Sequence, residues 1–162
     1  MDSGFLMRLT RQSTYAIRTL IYCAVNDPGL SRVADIAKAH SISELFLFKL
    51  IKPLVENGLI ETVRGRHGGI KLGRPASDIT LLDTIKLTEE NFAMAECFEG
   101  GDVTCPLVDN CDTNSALREA LGAFFNVLDG YTIADLAGKR RSLRERLGLK
   151  YEDMEPVLAA MN

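Results

Sequence analysis

Apolar residues recur three and four positions apart through the first third of the chain, and the polar residues between them mark helix starts and stops. Between Arg11 and Asn26, Tyr15, Ile17, Leu20, Ile21 and Ala24 supply the apolar positions of a helix that ends at Asp27-Pro28-Gly29. Ser31 is then expected to cap a short helix over residues 32–40, with Val33, Ile36 and Ala37 on one face. Ser41 and Glu44 have capping-box spacing ahead of a third helix. There Phe46, Leu47, Leu50, Ile51 and Leu54 define a buried stripe, opposite Glu44, Leu45, Phe48, Lys49 and Lys52. Pro53 lacks a backbone donor and is expected to bend or shorten this helix near residues 49–52, with Asn57-Gly58 as its stop. Two helices joined by so short a turn match a helix-turn-helix, whose second helix enters a major groove.

The period then changes. Residues 59–63 are rich in β-branched side chains, residues 64–69 read Arg-Gly-Arg-His-Gly-Gly, and Ile70-Lys-Leu72 follows. Two short strands around a basic, glycine-rich tip predict a β-hairpin, which after a helix-turn-helix is a wing. Its glycines let the backbone lie close to a phosphate chain, and Arg64 or Arg66 could reach into a narrow minor groove. Helical spacing resumes at Thr80-Leu-Leu-Asp83, a capping-box-like start for a fourth helix running to about Leu87. Farther on, Asn114 or Ser115 is expected to cap a helix carrying Leu117, Leu121, Phe124, Phe125 and Leu128. With the winged helix already complete, this seam is expected to pair with its twin in a second subunit. Thr132–Leu136 reads as a short closing helix. The tail from Gly138 reads as a solvated or partly ordered extension, with Leu143, Leu147 and Leu149 available to dock on the body.

Charge sharpens this picture. The 162 residues carry a net −3, which by itself does not suggest a nucleic-acid partner. Its distribution does: residues 7–74 carry +6 and residues 75–114 carry −8, with residues 115–162 balanced and Asp2 supplying the last −1. One half is suited to a polyanion and the other is not. Hydrophobic content of 46% is ordinary for a soluble core-forming chain. No apolar run is long enough to span a membrane and the first residues lack a signal-peptide pattern, so a cytoplasmic location is expected. Disulfides are rare in that compartment.

Thiols supply the candidate chemistry. Cys97, Cys105 and Cys111 fall within fifteen residues, on a Gly- and Asp-rich segment with neither helical nor strand period. Packing cannot explain them, and the gaps of seven and five residues leave slack to wrap something wider than a single ion. A lone zinc usually sits in tighter knuckles with four protein ligands, and His40 and His67 are both distant in sequence. An iron–sulfur cluster fits best, with zinc or redox-active thiols as the alternatives. Cys23 stands apart in an apolar helix and reads as a buried, inert thiol. No acid/base pair, nucleophile motif or phosphate-binding loop leading into a helix points to an enzyme.

The expected fold is therefore mainly α with a small β-hairpin wing. It comprises a winged helix-turn-helix over residues 7–74, a cluster-binding loop and long dimerisation helix over 75–137, and a tail over 138–162.

Several segments in one order carry a resemblance: Met7-Arg-Leu-Thr-Arg-Gln-Ser-Thr-Tyr-Ala16, Ala34-Asp-Ile-Ala37, Ile42-Ser43 with Phe46-Leu47, Val63-Arg-Gly with Gly68-Gly69, and the cysteine loop. Together they resemble the dimeric winged-helix regulators that carry iron–sulfur clusters, the group containing IscR, NsrR and RirA. The wide first cysteine gap, Phe92-Ala-Met-Ala-Glu-Cys97-Phe, Cys105-Pro-Leu-Val-Asp and Asn114-Ser-Ala-Leu-Arg118 are most similar to the rhizobial iron regulators of the RirA branch. The resemblance implies a [4Fe–4S] cluster on Cys97, Cys105 and Cys111 and repression of iron-uptake genes when iron is plentiful. It leaves the fourth ligand open among Glu96, Asp102, Asp109, Asp112, a small thiol and water, because the loop lacks histidine and Thr14 stands where some relatives place an acid. It also implies a homodimer on a palindromic operator, with DNA contacts from Arg8, Thr10 and Arg11, from Ser43, Phe48 and Lys49, and from Arg64 and Arg66. Phe48 is unusual on a groove-facing surface: it touches a thymine methyl, or belongs to the core if the helix phase is shifted by one. Rival readings are a regulator of the same fold that senses nitric oxide or cluster supply, and a zinc- or thiol-based interaction protein.

Overall fold

The computed structural model describes residues 8–98, 104–106 and 111–149. Among these residues seven α-helices and one hairpin run in the order α1 (Arg11–Asn26), α2 (Val33–His40), α3 (Glu44–Glu56), β1 (Ile60–Val63), β2 (Gly69–Leu72), α4 (Leu81–Thr88), α5 (Asp112–Asp129), α6 (Ile133–Leu136) and α7 (Arg140–Leu147). Helix α1 is the hub: α3, α4, α6, α7 and β2 all pack on it. Its core residues Ala16, Leu20 and Val25 are fully buried, together with Ile36 of α2 and Leu47 and Leu54 of α3. Helical spacing selected Leu20, Ile36, Leu47 and Leu54 among these but not Ala16 or Val25, and left Ile17 and Ile21 half-buried, while the mainly α fold with its hairpin wing is as expected.

Local chemistry differs from the sequence reading at four starts and stops. Ser31 does not cap α2, which begins at Val33 with no side-chain cap. Ser31 is instead buried, exchanging backbone hydrogen bonds with Ile70 of β2 at 2.8 Å each way while its hydroxyl oxygen accepts from Asn26 Nδ2. A short serine between two helices is thus used to fasten the wing to the helical core. Ser41 is not the cap of α3 either; it closes α2 in the left-handed region at φ 54°. Ser43 is the cap, accepting from the Phe46 N–H at 3.1 Å.

Pro53 neither stops nor shortens α3, which continues to Glu56. Asn57 covers the turn around Pro53, donating from both its backbone N–H (3.2 Å) and its side-chain amide (2.9 Å) to the Pro53 carbonyl. The hairpin pairs Ile60 with Leu72 through Val63 with Gly69, antiparallel and in register. Its glycines serve internal geometry: Gly65 holds φ +121°, and a Cβ at Gly68 would lie 2.3 Å from the Val63 carbonyl oxygen.

Helix α4 has the expected capping box, Thr80 with Asp83, and α6 has a second one, Thr132 with Asp135. Helix α5 starts earlier than Asn114, with Cys111 at its N-cap. As far as Leu149 the tail is not a solvated extension but docks on the body, with Leu147 and Leu149 packed against the core. There α7 folds back onto the C-terminal end of α1, where Arg140 Nε and Arg144 Nη1 donate to the Val25 carbonyl at 3.1 and 3.0 Å. Arg140 also donates to the Asp27 carbonyl. Helix ends leave carbonyls without intrahelical partners, and cationic donors suit that negative pole. Arg144 is 1% exposed, the largest fully buried side chain described.

Candidate nucleic-acid interface and cysteine site

Eight side chains expected at DNA, Arg8, Thr10, Arg11, Ser43, Phe48, Lys49, Arg64 and Arg66, are all exposed. They fall into three groups: the start of α1, the start and outer face of α3, and the hairpin tip. Thr10 and Ser43 are both helix N-caps whose hydroxyl oxygens accept from Ser13 N and Phe46 N. A hydroxyl that accepts from its own helix can still donate outward, so capping is compatible with a phosphate contact. The phase of α3 is settled by Leu47, fully buried, and by Phe46, which packs edge-on against Tyr15 at 5.8 Å between ring centroids. Phe48 is accordingly 56% exposed and not part of the core. Leu45, which sequence reading placed on the outer side without assigning it a role, is 70% exposed.

Two of the three loop thiols meet through Asn114, in the first turn of α5. Its side-chain amide donates to Cys97 Sγ at 2.8 Å, and its backbone N–H donates to Cys111 Sγ at 3.4 Å. Arg118, one turn along, donates from Nε to Asn114 Oδ1 at 2.7 Å and lies 4.6 Å from the centre of the Phe98 ring. That bond points the NH₂ of Asn114 at the sulfur of Cys97. Cys105 is exposed, and its neighbours at 101–103 and 107–110 lie outside the described residues, as do Asp102 and Asp109. Among the described residues no three His, Cys, Asp or Glu side chains are gathered as a metal-holding group. Cys23, by contrast, is 2% exposed, and burial pushes its thiol up to about 12, with a weaker opposing effect from the Ser31 hydroxyl.

A contact spanning 79 positions connects the acidic segment to the start of α1, and nothing in the sequence signals it. Glu89, the residue after α4, accepts at Oε1 from the Thr10 backbone N–H at 2.8 Å and also from the Ser13 hydroxyl. Ser13 Oγ is itself 2.7 Å from Thr88 Oγ1 in a buried pair. Beside this contact is a cleft of about 530 Å³, bordered by Arg8, Leu9, Phe92, Met94, Leu121 and Phe124. The start of α1, the approach to Cys97 and the middle of α5 therefore share one wall.

None of the α5 residues is fully buried. Phe125 packs at right angles on Phe92 with centroids 4.9 Å apart, and Lys86 Nζ lies over the Phe125 ring at 5.7 Å from its centre. Val127, two residues on and so nearly opposite on the helix, is 60% exposed, and Tyr131 just past the helix end is 52% exposed. No helix among the described residues is long and apolar enough to cross a membrane.

A helix-turn-helix with an attached wing, and cationic side chains at the start of α1, on the outer face of α3 and at the hairpin tip, define a DNA-binding transcriptional regulator, not an enzyme. Residues 9–139 match the Rrf2 family, described as iron-dependent transcriptional regulators, and the chain belongs to that family. It is similar to protein aau3 of Rhizobium meliloti (strain 1021), 58% identical over 154 residues, or 95% of this chain and 99% of that protein. It is also similar to the HTH-type transcriptional regulator NsrR of Geobacillus kaustophilus (strain HTA426), with 43% identity over 87% of this chain and 97% of the relative. Among solved structures, T. potens IscR superposes with a TM-score of 0.67 at 26% identity, covering 82% of this chain and 88% of that one.

Proposed function

We propose that this regulator represses iron-uptake genes when iron is sufficient, sensing iron through a labile [4Fe–4S] cluster held by Cys97, Cys105 and Cys111. The observation that carries the proposal is the convergence of Cys97 and Cys111 on Asn114 at the start of α5. The donor set fits the group: three soft thiols on a loop, with amide N–H donors already facing two of the sulfurs. Iron-bound sulfur accepts such hydrogen bonds, and they tune cluster potential. When bound, the cluster would supply an iron- and oxygen-sensitive crosslink between the loop and α5. The fourth ligand is drawn from Glu96, Asp102, Asp109, Asp112, a small thiol or water.

The chain's own residues supply the route from loop to DNA. Glu89 ties the beginning of the acidic segment to the Thr10 N–H, and the cleft wall joins Phe92 and Met94 to Arg8. Order in the loop thereby favours one placement of Arg8, Thr10 and Arg11. The half-buried seam of α5, with Val127 and Tyr131 outside it, pairs two copies into a homodimer. A symmetric pair presents two α3 helices about 34 Å apart to a palindromic operator, with Ser43, Phe48 and Lys49 in the major groove and Arg64 and Arg66 at the minor groove.

Anaerobic purification followed by iron, sulfide and visible-absorbance measurements tests the cofactor. DNA binding before and after treatment with an iron chelator tests the sensing. A brown protein whose operator affinity falls on chelation supports both. A colourless protein containing zinc, or one in which Cys97→Ala leaves iron, sulfide and repression unchanged, overturns the cluster reading. Binding that survives chelation unchanged overturns iron sensing alone.

A further inference from the structure

We infer that Leu45 and Phe48 form a thymine-reading pair on α3, each packing against the C5 methyl of a thymine in the major groove. The inference rests on the DNA-reading role of α3 proposed above. Leu45 and Phe48 are 70% and 56% exposed, two of the five large apolar side chains so exposed among the described residues. Single exposed apolar residues are ordinary. Here both stand in the first two turns of the second helix of the helix-turn-helix, the part of such a helix that meets base edges. Three residues apart, they are neighbours on one face. The alternative that they belong to the core is closed by Leu47, which is fully buried between them in sequence.

The residues around them narrow the occupant. The outward positions of this half of α3 are Glu44, Leu45, Phe48 and Lys49, with Lys52 one turn farther on beside Glu56 at 3.8 Å. Asn and Gln, which make the bidentate contacts to adenine, and Arg are absent from this face, while Glu44 and Lys49 are the residue types that meet cytosine and guanine. The thymine methyl is the one apolar feature on a major-groove base edge, and apolar side chains are its match. Cationic Lys49 on the same helix and Arg64 and Arg66 on the wing complement a polyanion and not an apolar protein surface. The pair therefore sets the preference for thymine, while Arg64 and Arg66 supply affinity common to all sequences.

The test uses the full-length protein, purified anaerobically. An operator is selected from a pool of random duplexes, and its thymines are then replaced one at a time by deoxyuridine, which lacks only the methyl. Withdrawing one methyl from an apolar contact should weaken binding by about three- to fivefold, at one or two thymines in each half-site and not at the others. In Leu45→Ala and Phe48→Ala proteins, checked for native circular dichroism, the corresponding thymine and deoxyuridine duplexes should bind equally. If wild type binds both duplexes equally at every position, or if the sensitivity persists in both the Leu45→Ala and the Phe48→Ala protein, the thymine assignment is overturned while DNA binding stands. If no duplex is enriched in the selection, the DNA-reading role of α3 fails and the inference fails with it.

Discussion

Replacing Glu89 by alanine should loosen the start of α1 and, through it, the grip on DNA. The Glu89 carboxylate accepts from the Thr10 N–H at 2.8 Å and from the Ser13 hydroxyl, and it lies beside the positive end of the α1 dipole. A hydrogen bond to a charged group contributes about 1.5–3 kcal/mol, and a carboxylate at a helix N-terminus about 0.3–1 kcal/mol. Neither donor is stranded by the change, however. The Thr10 N–H is exposed to water, and Ser13 Oγ keeps Thr88 Oγ1 at 2.7 Å. The net loss should therefore be near the lower end, about 1–2 kcal/mol in urea unfolding.

A second effect has the opposite sign, because removing an acid near a polyanion strengthens binding by itself. Glu89→Gln carries the same charge change while keeping an acceptor for Thr10, so the ratio of the two variants isolates the clamp. At matched salt, Glu89→Ala should bind the operator about three- to tenfold more weakly than Glu89→Gln, the equivalent of up to about 1.4 kcal/mol. Equal urea midpoints and equal operator affinities for the two variants would refute the clamp.

Other consequences can be measured independently. Burial, and then the charge of Arg18, lowers the His40 pKa from 6.5, so the folded protein binds fewer protons than the unfolded chain. Stability should fall as pH drops below about 6.5, and His40→Gln should flatten that slope in urea unfolding between neutral and mildly acidic pH. With its thiol pushed up to about 12, Cys23 should resist alkylation in the native metal-free protein at neutral pH while Cys105 labels readily, a difference that mass spectrometry resolves and denaturant abolishes. Arg144→Met should cost about 2–4 kcal/mol in thermal or urea unfolding, because α7 loses a buried donor to the Val25 carbonyl at the end of α1. If Lys49 meets a phosphate, Lys49→Ala should reduce the salt-dependence slope of DNA binding by about 0.9 and weaken all sequences alike.

The local elements were legible because their signals are local. Spacing of three and four selected α1, α3 and the α5 seam, and Thr80 with Asp83 announced a capping box that forms as written. The basic tip between two β-branched runs marked the wing, and outward spacing placed Glu44, Leu45, Phe48, Lys49 and Lys52 on the exposed side of α3. Capping-box spacing picked out the wrong serine at the start of α3. Ser43 and not Ser41 fits α3 because Ser41 is taken up by the left-handed turn that ends α2. Pro53 misled for a different reason: a proline in the last turns of a helix removes one donor without ending it, and α3 runs on to Glu56, where the Pro53 carbonyl accepts from Asn57.

By itself, then, the sequence determined the kind of elements, their order, the faces they bury and the residue types available for chemistry, since each of these depends on neighbours within a few turns. The tertiary structure alone decided that Glu89 holds the start of α1, that Ser31 fastens the wing, that Arg140 and Arg144 close α1, and that Asn114 draws Cys97 and Cys111 together. Most of these pair groups 17 to 119 positions apart along the chain. Such groups carry no period and no motif, because what brings them together is the packing of the helices between them.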